Sequence, residues 1–392
     1  MDFRDQHVDP TVRDRARAWA ERHVPPEWAA RERATGTHHT PELHRLLIDE
    51  GILGAAWPAE YGGSDVDPAF SRAVFDELNR RGLATGAWGS TGMVCRTILE
   101  VGTEQQKRTY VAAALRGEVL IALGYTEPES GSDVASARTR AVPDGDGWVI
   151  NGQKMFTSTV EACTHVFLLT RTNPDVPKHK GLTLFMVPTD DPGFDLRPIH
   201  TLGGQRTNAT FYTDVRVDDA ARVGAVDGGW AVMHVALVYE RGAASRSSKE
   251  LTLARELAAW AADTRRPDGS RVLDDPHVAE RIARMAIDEE VARLITFSLR
   301  DKVERGELPR ATSSMRKLFA TTAAQRHYAD AMDILGAEGL LSTGAPGSPA
   351  DGRFEHGYRA EVVTTIHGGS SEMQREIIAE QHLGLPRGRP RG

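Results

Sequence analysis

The sequence predicts an α+β fold in three successive parts: an N-terminal α-helical domain, a middle β-barrel-like domain and a C-terminal four-helix bundle. Three observations predict it. Apolar residues recur at helical spacing through the first part, and the period shortens to that of strands at about Val119. At about Gly229 helical spacing returns and holds towards the C-terminus. The expected domains are therefore 1–118, 119–228 and 229–392, a division that suits a chain of 392 residues.

In the first part, Asp9-Pro10-Thr11 reads as a helix start, with Val12, Ala16, Trp19 and Ala20 on one face. Thr40-Pro41-Glu42 reads as a second, a capping Thr before Pro at the first helical position. Leu43, Leu46, Leu47 and Ile48 follow until Gly51 stops that helix. Trp57 to Gly63 is punctuated as a loop, and Pro68 to Arg81 and Ser90 to Val101 are helical again. Gly102-Thr103-Glu104 caps a further helix through Ala114.

In the middle part, Val119 to Leu123 is a short apolar run ending in a loop of small hydroxyl residues around Gly131. Gly131 has access to backbone angles that a Cβ forbids, and Ser130 and Ser132 offer hydroxyls. Trp148-Val149-Ile150 and Lys154-Met155-Phe156 flank Asn151-Gly152, a strong hairpin signal. Thr164 to Thr170 and Leu182 to Val187 are apolar strands. Thr210 to Val217 alternates, with Phe211, Thr213, Val215 and Val217 on one side. In the last part, helices are expected over Trp230 to Arg246, Lys249 to Ala262, Pro276 to Glu304, Ser313 to Asp333 and Ser371 to His382. Ser342 to Gly352 reads as a surface loop.

Composition is that of an ordinary soluble protein, with 40% hydrophobic residues, 26% charged residues and a net charge of −7. No basic excess is present to follow a phosphate backbone, which argues against nucleic acid. No apolar run nears the roughly 20 residues that span a bilayer, and Met1 to Asp5 does not open like a secretory signal. The two cysteines, Cys95 and Cys163, lack metal-ligand spacing and read as small buried residues, in keeping with a cytoplasmic protein. His38, His39 and His44 read as surface residues, and Trp19, Trp57 and Trp88 as packing residues. No metal site is expected.

Three motifs, in order and each in its own structural context, resemble the acyl-CoA dehydrogenase family, and the resemblance covers essentially the whole chain. The first is Gly124-Tyr125-Thr126-Glu127-Pro128 through Gly131-Ser132-Asp133. The second is Asn151-Gly152-Gln153-Lys154-Met155-Phe156-Thr157-Ser158, and the third runs from Ile366-His367-Gly368-Gly369-Ser370-Ser371 to Arg375. The resemblance implies FAD as cofactor. It assigns FAD contacts to Leu123, Tyr125, Thr126, Gly131, Ser132, Phe156, Ser158, Arg265, Gly336 and Ser370. It assigns substrate contacts to Ser132 and Arg241. Phe156 and Ser158 stand where Trp and Thr are commoner in the family.

The implied reaction forms an α,β-unsaturated acyl thioester, with an α proton leaving to a base and a β hydride to flavin N5. Many members carry the base as a Glu in the C-terminal loop; here that place is Gly368, which has no side chain to abstract a proton. Isovaleryl-CoA, long-chain and some steroid-chain members use a Glu on the first helix of the bundle, and Glu240 holds the matching place. The other reading of Glu240 is a residue that only pairs with Arg241 or Arg246. Gly368 would still offer its backbone N–H to the thioester carbonyl, and the missing side chain leaves room for a branched or bulky acyl group. His367 also lies in this loop, at a place that is usually a bystander in the family.

Arg265 resembles the family arginine that reaches the FAD pyrophosphate of a neighbouring subunit, but Pro267 and Asp268 depart from the residues usual after it. Asp333 stands where Gln is usual, before Ile334-Leu335-Gly336. These departures are compatible with a mixed assembly in which one of two different chains completes each site. The expected partners are an acyl-CoA substrate, electron-transferring flavoprotein as electron acceptor, and further subunits in a homotetramer, homodimer or heterotetramer. The readings that compete are a flavin monooxygenase or oxidase of the same fold and a non-catalytic subunit that completes another chain's site.

Overall fold

A computed structural model describes residues 9–83, 85–243, 253–305 and 310–386, without the side chains of 240–243, 300, 303, 304 and 310. The chain forms two compact units, one of Asp5–Thr201 with Gln205–Ala243, the other of Leu202–Gly204 with Ala244–Gly392.

Helices α1 (Pro10–His23), α2 (Pro26–Thr35), α3 (Pro41–Asp49), α4 (Pro68–Arg80), α5 (Ala87–Val101) and α6 (104–115) open the first unit. Their starts follow local chemistry. Asp9 accepts from the Thr11 N–H at 2.9 Å and Asp67 from the Ala69 N–H at 2.8 Å, each just before a Pro that fixes the first helical φ. At α6, Thr103 and Gln106 form a reciprocal capping box. Thr40 is a correction: its hydroxyl does not cap α3 but donates to the buried Glu32 at 2.8 Å. Glu32 belongs to α2, a helix with too few apolar residues to leave a periodic signature. The α-helical core includes Trp19, Leu47, Leu78, Trp88, Ile98 and Cys95.

The sheet contains β1 (Ile121–Gly124), β2 (Arg140–Asp144), β3 (Gly147–Lys154), β4 (His165–Arg171), β5 (Leu182–Pro188), β6 (Phe194–His200), β7 (Arg206–Asp218) and β8 (Arg222–Val223). Its order is β6-β7-β3-β2-β4-β5-β8, with β1 parallel to β4. Asn151-Gly152 is not the hairpin turn. The turn is Gly145-Asp146, where Gly145 takes φ +63°, and β3 runs straight through Asn151-Gly152. At that point Thr213 and Asp214 of β7 share the place opposite Asn151, a bulge in which Asn151 bonds both the backbone and the carboxylate of Asp214 at 2.9 Å. The bulge also breaks the expected alternation of β7. Val215 and Val217 are buried, whereas Thr213 is exposed and Tyr212 takes the buried side before it.

Helix α7 (Gly229–Ala243) closes the first unit by packing on α5 and β5. The second unit contains α8 (Leu253–Asp263), α9 (Pro276–Glu304), α10 (Arg310–Leu335), α11 (Arg353–Ala360) and α12 (Ser371–Gln381). Helix α10 packs on α9, α11 and α12, and the core around Leu257, Met285, Ala331 and Phe354 holds α8 and α11 in place. Among the described residues no helix is long and apolar enough to cross a membrane.

Candidate cofactor and substrate site

The first motif begins where β1 leaves the sheet. Gly124 has no room for a side chain, since a Cβ there would lie 2.7 Å from Leu168 Cδ1 and 2.8 Å from Val166 Cγ1. Beyond it, Glu127 and Ser130 exchange backbone hydrogen bonds in a tight turn that places Pro128 and Glu129 in solvent. The Ser130 hydroxyl is buried with no partner among the described residues. Ser132 and Gly131 are exposed. Gly131 does not use a left-handed angle, and a Cβ there would meet nothing within 4 Å. Space over its backbone, rather than backbone freedom, is what this glycine provides.

The second motif is tied to the first. The Met155 N–H donates to the Thr126 carbonyl at 2.8 Å. Lys154, wholly buried, donates to Glu127 Oε1 at 2.8 Å and to the Tyr125 carbonyl at 3.2 Å. Glu127 also accepts from the Arg138 N–H at 2.7 Å and the Thr139 N–H at 2.9 Å. Burial pushes the Glu127 carboxyl up, but Lys154 and the two N–H donors outweigh it and hold it below the ordinary value. Burial pulls the Lys154 ammonium down to about 8 against the opposing pull of Glu127. Sequence reading passed over this pair as part of two motifs; the signal was an acid, Glu127, in the first and a lone base, Lys154, in the second.

Past Lys154 the chain turns sharply. Phe156 sits at φ +60°, rare for an aromatic residue, and its ring is 59% exposed. Ser158 hydrogen-bonds to the Thr207 hydroxyl at 3.0 Å, and the Thr157 N–H donates to the Asn208 carbonyl at 2.9 Å. Thr126, Ser132, Phe156 and Ser158 thus lie on two loops cross-linked by Lys154, within the first unit. Leu123 and Tyr125 are half-buried beside them, and Tyr125 packs edge-on against Phe167.

The third motif lies in the second unit. Gly368 and Gly369 take φ +66° and +91°, and Gln374, fully buried, donates to both carbonyls at 3.2 and 3.0 Å. Lys317 of α10 donates to the Gly369 carbonyl at 2.8 Å and to Thr364 at 3.2 Å, closing the loop from the other side. Ser370 caps α12 through the Met373 N–H at 3.4 Å. The Ser371 hydroxyl and Gln374 Oε1 are buried without partners among the described residues. His367 is exposed. Arg265 is exposed beside a turn in which Arg266 pairs with Asp275 at 2.8 Å and Asp268 with Ser270. Asp333 is held by Arg281 at 2.9 Å, and Gly336 takes φ +57° with open space at its Cβ position.

Position 240 lies within α7, but the side chains of Glu240 and Arg241 fall outside the described residues, and so does Arg246. His44 corrects an expectation: it is 9% exposed, its ring packs at a tilt against Trp88, and burial lowers its pKa to about 4. Among the described residues no group of three or more metal-ligating side chains occurs.

The arrangement fits a bound flavin. An exposed aromatic ring in a strained conformation, a loop with open space over Gly131 and a buried hydroxyl without a partner are features that a flat, polar ligand would complete.

Comparison with known proteins points the same way. Residues 9–118 match the acyl-CoA dehydrogenase N-terminal domain, 122–219 the middle domain and 227–383 the C-terminal domain. The chain is 37% identical over 345 residues to acyl-CoA dehydrogenase FadE26 of Mycobacterium tuberculosis, covering 86% of each protein. It is 33% identical over 389 residues to acyl-CoA dehydrogenase IpdE1 of the same organism, covering 96% of this chain and 97% of that one. Among solved structures, the steroid ACAD Tcur3481-Tcur3483 matches with a TM-score of 0.90 and 35% identity over 99% of this chain and 100% of that one. The ChsE4-ChsE5 complex of Mycobacterium tuberculosis matches with a TM-score of 0.90 and 34% identity over the same shares.

Proposed function

Because the chain belongs to the acyl-CoA dehydrogenase family and is an FAD-dependent oxidoreductase, we propose that it desaturates the α,β bond of an acyl-CoA with Glu240 as base. The observation that carries this reading is Gly368. The loop position that supplies the base in many relatives here has φ +66° and no side chain, which leaves the α7 carboxylate for the task.

In this scheme Glu240 takes the α proton. The Gly368 N–H donates to the thioester carbonyl, stabilising the charge that gathers on that oxygen. Arg241 and Ser132 bind substrate. FAD, when bound, supplies the two-electron acceptor for the β hydride. Leu123, Tyr125, Thr126, Gly131, Ser132, Phe156 and Ser158 would hold it from the first unit, and Arg265, Gly336 and Ser370 belong to the second group of contacts. Phe156 offers a flat apolar face, and Lys154 fixes the loop that carries it. The bare Gly368 backbone suits a branched or bulky acyl group, and a relative described as a steroid ACAD supports that direction. Electrons leave to electron-transferring flavoprotein.

The assembly we infer is heteromeric. Two similar structures are described as two-chain proteins, and Asp268 and Asp333, where the family pattern weakens, are committed to partners within this chain. The domains would follow the division 1–118, 119–228 and 229–392.

The test is anaerobic reduction of the flavin by bulky acyl-CoA thioesters, comparing wild type with Glu240→Gln. Loss of a positioned base should slow the flavin bleaching by ~10²–10⁴-fold. Bleaching at the wild-type rate would remove Glu240 from the role.

A further inference from the structure

Helix α5 carries a feature that the reaction as described does not use. Gly89, Gly92 and Arg96 recur at i, i+3 and i+7 and so share one face of the helix. A Cβ at Gly89 would meet nothing within 4 Å, and one at Gly92 would only touch Trp57 and Trp88 at 3.8 and 3.9 Å. Neither glycine is required by packing, although each costs about 0.5–1 kcal/mol in a helix interior. The result is bare backbone at both positions, open at Gly89 and flanked at Gly92 by two indoles whose rings lie 6.0 Å apart.

Arg96 stands at the end of this strip. Its guanidinium lies 4.5 Å from the centroid of the Trp57 ring, half-buried. No carboxylate pairs with it among the described residues. The nearest acid along the helix, Glu100, is exposed and accepts from the Tyr239 hydroxyl at 2.7 Å. Burial holds the Arg96 pKa below its ordinary value. A partly buried guanidinium, stacked on an indole and without a hydrogen-bond partner among the described residues, is prepared for an acceptor that arrives with a ligand. Tyr239 places this end of α5 beside the turn of α7 that contains position 240.

We propose that Arg96 recognises an oxygen acceptor, a carboxylate or a carbonyl, at the distal part of the acyl group, with the Gly89–Gly92 strip giving that group room. The inference rests on the proposed dehydrogenation with its base at position 240. It makes Arg96 a specificity residue and narrows the substrate from bulky acyl thioesters to those bearing a distal oxygen.

The experiment uses the holoenzyme and three CoA thioesters of equal chain length: a plain acyl chain, one ending in a carboxylate and one bearing a distal ketone. Anaerobic flavin reduction gives kcat/KM for each. Wild type should prefer at least one oxygen-bearing thioester over the plain chain by ~10-fold or more, the scale of a charge-assisted hydrogen bond. Arg96→Gln should bring that ratio close to one. Arg96→Lys should restore part of the preference for the carboxylate and less for the ketone, since an ammonium is a point charge without the planar fork. Preference for the carboxylate arm assigns an anionic group, and equal preference assigns a neutral carbonyl. A wild-type ratio near one overturns the proposal, as does a preference that survives Arg96→Gln. Melting temperature and flavin absorbance establish that the variants are folded, and Arg96→Lys carries the test if Arg96→Gln does not fold. A separate outcome, in which none of the three thioesters reduces the flavin, counts against dehydrogenation itself and removes this inference with it.

Discussion

Lys154 Nζ stands 2.8 Å from Glu127 Oε1 in a buried pair that joins two loops far apart in sequence. Removing one partner strands a charge, whereas removing both does not. Lys154→Met should therefore destabilise the protein by about 3–5 kcal/mol, read from urea unfolding, with loss of bound flavin. Adding Glu127→Gln should recover part of that stability. A single variant as stable as wild type would show that the pair does not hold the loops.

Phe156→Ala separates cofactor binding from folding. The ring is mostly in solvent, so stability without flavin should change by only about 0.5 kcal/mol. Flavin content after gel filtration should drop several-fold. Unchanged flavin content would mean that the ring backs nothing.

Glu289 gives the fold a pH dependence. Burial raises its carboxyl to about 7, although it accepts from the Ala254 N–H at 3.0 Å. A carboxyl raised in the folded state binds more protons there than in the unfolded chain. Its contribution to stability is thus complete below the unfolded value of about 4.5 and is lost as pH rises to about 7. Unfolding free energies measured between pH 5 and 8 should fall by on the order of 2 kcal/mol, and Glu289→Gln should flatten that slope. An identical slope in the variant would assign it to other groups.

Gly152→Ala tests the bulge. A Cβ there would lie 2.7 Å from Thr139 Cα, at φ +150°, so the strand or its neighbour must shift. Destabilisation by about 1–3 kcal/mol is expected, together with weaker flavin retention, because Gly152 leads directly into Lys154. Melting temperature and flavin absorbance read both effects.

The three-part order of elements was legible because helical and strand periodicities switch cleanly near Val119 and Gly229. Local signals misled where long-range pairing overrode them. Asn151-Gly152 has the composition of a hairpin turn, but β7 supplies a partner that keeps the strand running and absorbs the extra residue as a bulge. The same bulge moved Thr213 to the exposed face. His44 stands between Leu43 and Arg45, and its burial against Trp88 comes from packing with a helix distant in sequence. The candidate site was legible as three motifs. The contacts that shape them depend on side chains that meet only after folding: the Lys154–Glu127 pair joins the first two motifs, and Lys317 and Gln374 clasp the Gly369 carbonyl within the third. Arg96 gave no sequence signal, since its place over the Trp57 ring, with no carboxylate partner among the described residues, arises only on folding.

Strand β1 pairs in parallel with β4, Ile121 opposite His165 and Gly124 opposite Leu168. A parallel pair has no hairpin to nucleate it and forms only after the intervening chain has closed as a loop. On a ribosome, the segment that begins with Tyr125 would wait, without its sheet support, until residues well beyond it had been synthesised and docked. In the proposed site, flavin capture at this wall would be a late event in the life of the nascent chain, because it waits on the pairing of β1 with β4.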